Sequence, residues 1–326
     1  VSIGQGDTDS AIEYLRRGTS QDPDNIDLKF QLATLLLSTG RNDELAEVLD
    51  SIDISESRQD EFRVEMLNAM SSALTGGDKA AVEAAQQLVS DWPKNPTARI
   101  LLGTVFLTRN DLPAARTSFE AALELAPGRI VALRNLAVID EKEGSYGAAT
   151  ERYESILQMQ PQATWAMFDL ARLAARQQDL ASSTQWLQKI RQLDPSAVQA
   201  RVSLARILVS TGSYDEAEVV LEEALRANRD LPELHNLLGR VRSGQDDNAG
   251  AIPAFEKAHE LAPDNDEYRL NLANAHRVAG NVGLAEQVLL ENGEVDLDNV
   301  QIAVTAASLK IQEGGLDGAM HIAKAL

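Results

Sequence analysis

The stretch from Ile130 to Ala163 reads IVALRNLAVIDEKEGSYGAATERYESILQMQPQA, and apolar residues recur at helical spacing in both of its halves. Gly144 stands between the halves, where glycine adopts the left-handed conformation that ends a helix at little cost. Pro161 closes the second half, because proline cannot continue a helix. The stretch predicts two amphipathic helices. Neither can bury its apolar stripe alone, so the pair requires neighbours.

A period of thirty-four residues along the chain indicates that similar helix pairs precede and follow this one. One first-helix position is small in every repeat: Ala33, Ala69, Gly103, Ala137, Ala171, Ala205, Gly239, Ala273 and Ala307. A second-helix position is bulky in most of them: Leu15, Leu49, Phe119, Tyr153, Leu187, Leu221, Phe255 and Leu289. Bulky side chains of one helix are therefore expected to sit against small residues of the other.

The same period fixes the predicted boundaries and turns. It gives a partial repeat at 1–25, repeats at 26–61, 62–95, 96–129, 130–163, 164–197, 198–231, 232–265 and 266–299, and a partial repeat at 300–326. Turn glycines are expected at Gly6, Gly40, Gly76, Gly144, Gly212, Gly280 and Gly314. The run SGQDDNAG at 243–250 is expected to be a softer joint, and Asn292 with Gly293 predicts an early end of the second helix there.

This pattern resembles the tetratricopeptide repeat family. The resemblance is carried by the small first-helix residue, the tyrosine after the turn glycine at Tyr146 and Tyr214, the second-helix alanine, the bulky residue after it and the closing proline. It implies one all-α domain over 1–326, a right-handed superhelical solenoid of antiparallel helix pairs with eight full repeats and a partial repeat at each end.

The sequence departs from the family at the first-helix tryptophan position. That position holds Arg99, Leu133, Met167, Arg201, His235 and Arg269. We expect the arginines to lay their methylene stems over neighbouring helices and to send their charge to solvent.

Composition limits the classes of partner. The chain has 30 basic and 50 acidic residues and a net charge of −20, which argues against nucleic acid or an anionic membrane as the main partner. It has no cysteine and no apolar run of membrane-spanning length. Both ends fall inside repeats, so we expect a piece of a longer protein, and apolar edges at its ends predict a homodimer formed by stacking.

Catalytic and metal-binding patterns are not found in the sequence. The four histidines, His235, His259, His276 and His321, occupy different repeat positions and do not form a ligand pair. The acidic runs at 6–9 and 245–248 lack the calcium-loop pattern and are read as helix caps and turns. We therefore predict a protein that is not an enzyme, with no catalytic residues, no metal and no cofactor.

The informative residues lie on the first helices, whose exposed face lines the inner groove in solenoids of this family. Arg172, Arg206 and Arg240 recur there at the period of the repeat. Further candidates on this face are Arg176, Arg277, Arg134, Asn236, Asn271, Asn274, Trp165 and Phe168. The planar guanidinium fork binds carboxylate or sulfate in bidentate fashion, which predicts an anionic extended ligand, either an acidic peptide segment or an acidic polysaccharide.

A second interpretation of the same face is equally concrete. The arginines could pair with Asp169, Glu233 and Glu267 and only keep the groove hydrated. Trp165 and Phe168 fit packing between repeats as well as they fit ligand contact.

The overall prediction is a protein-binding scaffold. The run from Asn95 to Gly128 and the repeats after it are similar to tetratricopeptide lipoproteins of exosortase (PEP-CTERM) exopolysaccharide systems in Gram-negative bacteria. That resemblance implies a periplasmic or outer-membrane-attached helper in polysaccharide export or surface-protein sorting. Alternatives are a cytoplasmic co-chaperone-like adaptor and the substrate-recruiting arm of a glycosyltransferase, whose asparagine ladder is matched only at Asn135 and Asn271.

Overall fold

The computed structural model describes residues 5–54, 57–75, 77–291, 294–295, 298–312 and 314–325. The helices over these residues are α1 (Gln5–Gln21), α2 (Ile26–Ser38), α3 (Asn42–Asp50), α4 (Arg58–Thr75), α5 (Gly77–Asp91), α6 (Pro96–Thr108), α7 (Leu112–Leu125), α8 (Ile130–Lys142), α9 (Tyr146–Met159), α10 (Thr164–Arg176), α11 (Leu180–Leu193), α12 (Val198–Ser210), α13 (Tyr214–Ala227), α14 (Pro232–Gly244), α15 (Asn248–Leu261), α16 (Asp266–Val278), α17 (Val282–Leu289), α18 (Val300–Gln312) and α19 (Leu316–Ala325). Two short strands, β1 (Leu290–Glu291) and β2 (Glu294–Val295), pair in antiparallel fashion after α17.

The prediction of an all-α repeat solenoid is confirmed. Each even-numbered helix from α2 to α18 packs against the helix that follows it, which gives a series of helical hairpins. The contacts divide the chain into two compact units, residues 1–161 with α1 to α9 and residues 162–326 with α10 to α19. We call these unit 1 and unit 2 and describe each by itself.

The predicted contact between small and bulky residues forms the core of the hairpins. In unit 1 the fully buried Phe119 ring lies so close to Gly103 that a Cβ added there would be 2.8 Å from a ring carbon. In unit 2 a Cβ added at Gly239 would be 2.6 Å from the Phe255 ring. Glycine thus faces phenylalanine in both units, because no larger residue leaves room for the ring.

The turns inside the hairpins use a left-handed residue at one fixed repeat position. Glycine takes it with φ between 71° and 82° at Gly40, Gly144, Gly212, Gly280 and Gly314. Between Asn110 and Gly280 glycine alternates with other residues, since Asn110, Gln178 and Asp246 adopt φ of 59°, 62° and 63°. The residue after each of these three is an aspartate whose side chain accepts a hydrogen bond from the first turn of the next helix, at Asp111, Asp179 and Asp247.

The structure corrects one of the expected turn glycines. Gly6 lies inside α1 and does not end a helix. Gly76 lies outside the described residues, and its neighbour Gly77 takes the positive φ of 70°. The run 243–250 is an ordinary turn of the kind formed around Gln178, because Asp246 takes the left-handed conformation and Asp247 caps α15. The helix before Asn292 ends early, at Leu289, as predicted, although residues 292–293 themselves are outside the described part.

Unit 1 also contains a buried ionic cluster. Asp140 is 2% exposed, and its two carboxylate oxygens each accept a 2.6 Å hydrogen bond, one from Arg116 Nη2 and one from Arg152 Nε. Next to it the buried Tyr153 hydroxyl donates to Glu141 Oε1 at 3.0 Å. These bonds tie α7, α8 and α9 together and satisfy carboxylates that would otherwise be costly to bury.

The expected solvation of the arginines at the family's tryptophan position is wrong for Arg201 and Arg269. The Arg201 side chain is 6% exposed and lies 3.7 Å from Glu223. The Arg269 side chain is 11% exposed, and its Nη2 donates to Asp266 Oδ1 at 2.6 Å. At the same position of other repeats, Arg99 Nη2 donates to the Pro93 carbonyl, and a ring nitrogen of His235 lies 2.7 Å from the Arg229 carbonyl. The polar groups of Arg99 and His235 therefore point toward the loop before their own helix, because backbone carbonyls there lie within hydrogen-bonding distance.

Candidate functional site

The three periodic arginines lie on consecutive first helices of unit 2. Arg172 is on α10, Arg206 on α12 and Arg240 on α14. The Arg172 side chain is 36% exposed and that of Arg206 is 62% exposed, and Arg240 is exposed as well. We call the surface formed by these three residues the arginine face.

Two of the three arginines pair with acids that the second interpretation named. Arg172 Nη2 lies 3.4 Å from Asp169 Oδ1, and Arg206 forms an ion pair with Glu233 of α14. The Arg240 side chain makes no hydrogen bond or ion pair with any residue in the part of the chain that the structure describes. The arginine face therefore contains two ion pairs and one exposed guanidinium without a partner among the described residues.

A cavity of about 470 Å³ opens beside this face, between α10, α11 and α12. Phe168, Ala171 and Ala175 of α10 face Ser203 and Ile207 of α12 across it. Ser183 and Leu187 of α11 form its floor, and Arg172, Arg176 and Arg206 also line it. We call it the α10–α12 cavity. Its lining combines an apolar interior with three guanidinium groups.

The three asparagines predicted to donate hydrogen bonds to a ligand, Asn236, Asn271 and Asn274, instead bond to residues of the chain itself. Asn236 is 2% exposed, and its amide nitrogen lies 3.3 Å from Glu267 Oε1. Asn271 Nδ2 donates to Asn236 Oδ1 at 2.8 Å, and Asn274 accepts from Arg277 Nε at 3.4 Å. The amides link α14 to α16 and hold Arg277 in place, so Asn236 is not a groove-facing donor.

The remaining predicted residues are placed as follows. Trp165 is half-buried on α10, and Arg176 is exposed at the end of that helix. Arg134 is exposed on α8, which belongs to unit 1, and is therefore not part of the arginine face. Phe168 is the predicted aromatic that lines the α10–α12 cavity.

The apolar part of this cavity was not predicted from the sequence. Ala175 stands at a repeat position that holds Glu141 and Arg277 elsewhere, and this exchange of a long polar residue for alanine was the signal available. A second concavity of about 520 Å³ lies between α16 and α18 and was not predicted either; it is lined by Asp266 and Glu267 together with Val300 and Val304. The charge lining that concavity is of opposite sign to that of the arginine face.

Titratable groups do not converge on a catalytic arrangement in the described ranges. They contain no cluster of three or more histidine, aspartate or glutamate residues able to hold a metal ion. Burial, followed by the charge of Arg269, lowers the pKa of His259. No helix in the described residues is both long and apolar enough to cross a bilayer.

Stacked helical hairpins with an exposed, cation-lined first-helix face define an α-solenoid interaction protein. Models of the tetratricopeptide repeat match residues 2–67, 141–197, 185–241 and 244–299, and a further model with that description matches 79–130. The chain belongs to the tetratricopeptide repeat family. Proteins of this family are generally non-catalytic scaffolds that bind peptide or protein partners, and the chain fits that class.

Solved structures share the fold at low identity. A tetratricopeptide repeat protein from Parabacteroides merdae is 18% identical with a TM-score of 0.51, and the match covers 81% of this chain and 98% of that one. YrrB, described as a tetratricopeptide protein with an unusual peptide-binding site, is 18% identical with a TM-score of 0.49 over 58% and 97% of the two chains. PilF of Pseudomonas aeruginosa is 19% identical with a TM-score of 0.49 over 70% and 95%. No curated protein matches the chain.

Proposed function

We propose that the chain is a non-catalytic scaffold whose arginine face binds an acidic, extended segment of a partner protein. The observation that carries the proposal is the recurrence of Arg172, Arg206 and Arg240 on adjoining first helices of one unit. In a chain with a net charge of −20 this face is a local exception to the acidic background, and an acidic ligand can approach it with less repulsion than elsewhere.

The ion pairs on the face are compatible with ligand binding. The Arg172 and Arg206 side chains are 36% and 62% exposed, so a ligand carboxylate can approach both guanidinium groups from solvent while Asp169 and Glu233 keep their places. A guanidinium also has five N–H donors, and one bond to a carboxylate of the same chain occupies only part of that fork. Arg240 has no acidic partner among the described residues, so a ligand carboxylate can bind it without displacing one of them.

The α10–α12 cavity favours a peptide over a polysaccharide. Phe168, Ala175 and Ile207 present apolar surface next to the arginines. Sugar hydroxyls placed against that surface would lose hydrogen bonds to water without replacing them, whereas a peptide can place an apolar side chain there. Binding of an acidic polysaccharide instead is an outcome that the test below can detect.

The proposed setting is the envelope of a Gram-negative bacterium, with a periplasmic or outer-membrane-attached role in exopolysaccharide export or surface-protein sorting. Its support is the likeness of the repeats from Asn95 onward to lipoproteins of exosortase systems. In that setting the scaffold would hold an acidic segment of another component of the export or sorting machinery.

The test uses two purified probes, poly-L-glutamate and alginate, with binding measured by calorimetry at low and at physiological salt. The triple variant Arg172→Ala, Arg206→Ala, Arg240→Ala should lose poly-L-glutamate binding at least about tenfold while retaining its helical content. A matched control, Arg17→Ala, Arg58→Ala, Arg226→Ala, removes the same charge from exposed positions off the face and should bind as the unaltered chain does.

Three results would contradict parts of the proposal. Equal binding by the two triple variants would remove the site from the arginine face. Alginate binding without poly-L-glutamate binding would replace the peptide by a polysaccharide. The setting is tested separately, by capture from envelope and cytosolic extracts in parallel, and recovery of arginine-dependent partners from the cytosolic extract alone would refute the envelope role.

A further inference from the structure

We infer that the α10–α12 cavity is an anchor pocket for one large apolar side chain of the bound segment. Acidic residues two positions before and two positions after that side chain then form ion pairs with the arginines at the mouth of the cavity. The inference rests on the proposed function and makes it more specific, because it names the pattern of side chains that the face selects. It is carried by the apolar interior of the cavity, an observation separate from the periodic arginines.

The interior of the cavity is already shaped by buried residues. Ala171 and Leu187 are each 2% exposed and Ser183 is 1% exposed, so the floor is set by the core of the hairpin. Phe168, Ala175 and Ile207 are half-buried and form the walls. The volume of about 470 Å³ lies within the range of roughly 300–1,000 Å³ typical of pockets for small ligands. A phenylalanine or leucine side chain is therefore small enough to enter.

The size of the cavity has a source in the sequence. The position of Ala175 carries Val209 in the next repeat and Ile311 in the last. An alanine there leaves a gap between α10 and α12 that a branched side chain would fill. The half-buried apolar walls next to such a gap are partly exposed to water. When an apolar group of a ligand covers them, the complex is stabilised by about 25 cal/mol for each Å² of apolar surface removed from water.

The charges at the mouth determine which neighbours the anchor must have. Arg172 and Arg206 come from the two helices on opposite sides of the cavity, and Arg176 lies one turn beyond Arg172. In an extended segment, residues two positions apart point to the same side and are separated by about 6.6 Å. When the central residue of such a segment occupies the cavity, the residues two positions before and two positions after it face the arginines of α10 and α12.

The concavity between α16 and α18 provides a contrast within the same unit. It too has apolar surface, from Leu270, Val300 and Val304, but Asp266 and Glu267 line it. An apolar side chain flanked by acids should avoid that concavity and enter the α10–α12 cavity, because the flanking charges are repelled in one place and attracted in the other.

The experiment is methyl NMR on the full chain with labelled isoleucine and valine, titrated with four peptides capped at both ends. The peptides are GSDSFSDSG, GSDSASDSG, GSNSFSNSG and GSKSFSKSG. The Ile207 methyl reports on the α10–α12 cavity, and the Val304 methyls report on the concavity of α18. GSDSFSDSG should shift Ile207 with a Kd at least about tenfold below those of the peptides lacking the phenylalanine or the acids, and should leave Val304 unchanged.

A pair of matched variants tests the cavity itself. Ala175→Leu narrows the cavity from one wall, and Ala181→Leu adds the same side chain at an exposed position of α11 outside the lining. Both substitutions place leucine in a helix, where it is well tolerated, so both variants should fold. Ala175→Leu should weaken GSDSFSDSG about tenfold, to the level of GSDSASDSG, and Ala181→Leu should leave its Kd unchanged.

The outcomes separate the inference from the proposed function. If GSDSFSDSG and GSDSASDSG bind equally and both depend on the three arginines, the anchor pocket is refuted and the acidic-ligand function stands. If GSDSFSDSG, GSNSFSNSG and GSKSFSKSG bind equally, the requirement for flanking acids is refuted. If neither acidic peptide binds and the arginine variant is indistinguishable from the unaltered chain, the proposed function fails as well.

Discussion

Replacing Gly239 by alanine tests whether helix contact in this chain is limited by one side-chain pair. The added Cβ would lie 2.6 Å from two ring carbons of Phe255 and 2.8 Å from a third, whereas carbon atoms in contact are about 3.5–4.0 Å apart. The ring must therefore move by about 1 Å. It is 3% exposed and has little free space to move into.

The expected loss follows from two opposing contributions. Overpacking of a closely packed site costs about 1–3 kcal/mol, and exchanging glycine for alanine within a helix returns about 1 kcal/mol. A net loss of about 0–2 kcal/mol is therefore expected for Gly239→Ala. Gly103→Ala should cost less, since its Cβ would lie 2.8 to 2.9 Å from the Phe119 ring.

The informative measurement is a double-mutant cycle with Phe255→Leu. That substitution alone leaves a void against Gly239, at a cost of about 1–2 kcal/mol. The double variant recreates the pair that Ala205 and Leu221 form in the preceding repeat, where both are fully buried. The coupling between the two substitutions should be favourable by about 1–3 kcal/mol.

Urea unfolding, followed by circular dichroism with a check that the m-value is unchanged, provides the four free energies of unfolding. The double variant should lose about 1–3 kcal/mol less stability than the sum of the two single losses predicts. Additivity within about 0.5 kcal/mol would refute the reasoning, because two side chains in contact cannot then be competing for the same space. A Gly239→Ala variant more stable than the unaltered chain would refute it as well.

Three further predictions concern single residues. Asp140→Ala should lower the free energy of unfolding by about 1–3 kcal/mol in urea, because it leaves the two arginines that bind this buried carboxylate without their acceptor. Gln178→Gly should raise the stability by about 0.5–1 kcal/mol, visible as a higher Tm, since glycine adopts the left-handed conformation without strain. The hydrogen bond from Arg191 lowers the pKa of Glu223, so its contribution is present above the unfolded-state pKa of the carboxyl and is lost as the pH falls through the lower folded-state pKa. Glu223→Gln should therefore cost less than about 1 kcal/mol at neutral pH and nothing in strong acid, as pH-dependent thermal unfolding would show.

The fold could be predicted because close helix contacts leave a periodic record in the sequence. A position that touches a neighbouring helix at short distance accepts only small residues, as Gly103 and Gly239 do, and that restriction repeats with every hairpin. Turn positions leave a weaker record. Gln178 and Asp246 adopt the same backbone conformation as the turn glycines, so counting glycines alone misses their turns.

The arginine face could be predicted only in part. Repeat position indicated which side of a first helix Arg172 and Arg240 would occupy. It did not indicate that Asn236 would be buried or that Arg201 would turn inward, because those outcomes depend on what the adjoining helices offer as acceptors. The α10–α12 cavity is lined by side chains of three helices, so the alanine at position 175 indicated a missing side chain but not the size or the lining of the cavity.

The alternation of the hairpin turns has a consequence for how the chain is built. From Asn110 to Gly280, a turn with a non-glycine residue and a capping aspartate alternates with a turn that has glycine and no side-chain cap bond at Ser145, Ser213 or Asn281. The block that repeats faithfully is therefore four helices long. A shortened chain or a circular permutant should therefore keep its turn chemistry in register only when it is cut in multiples of that block.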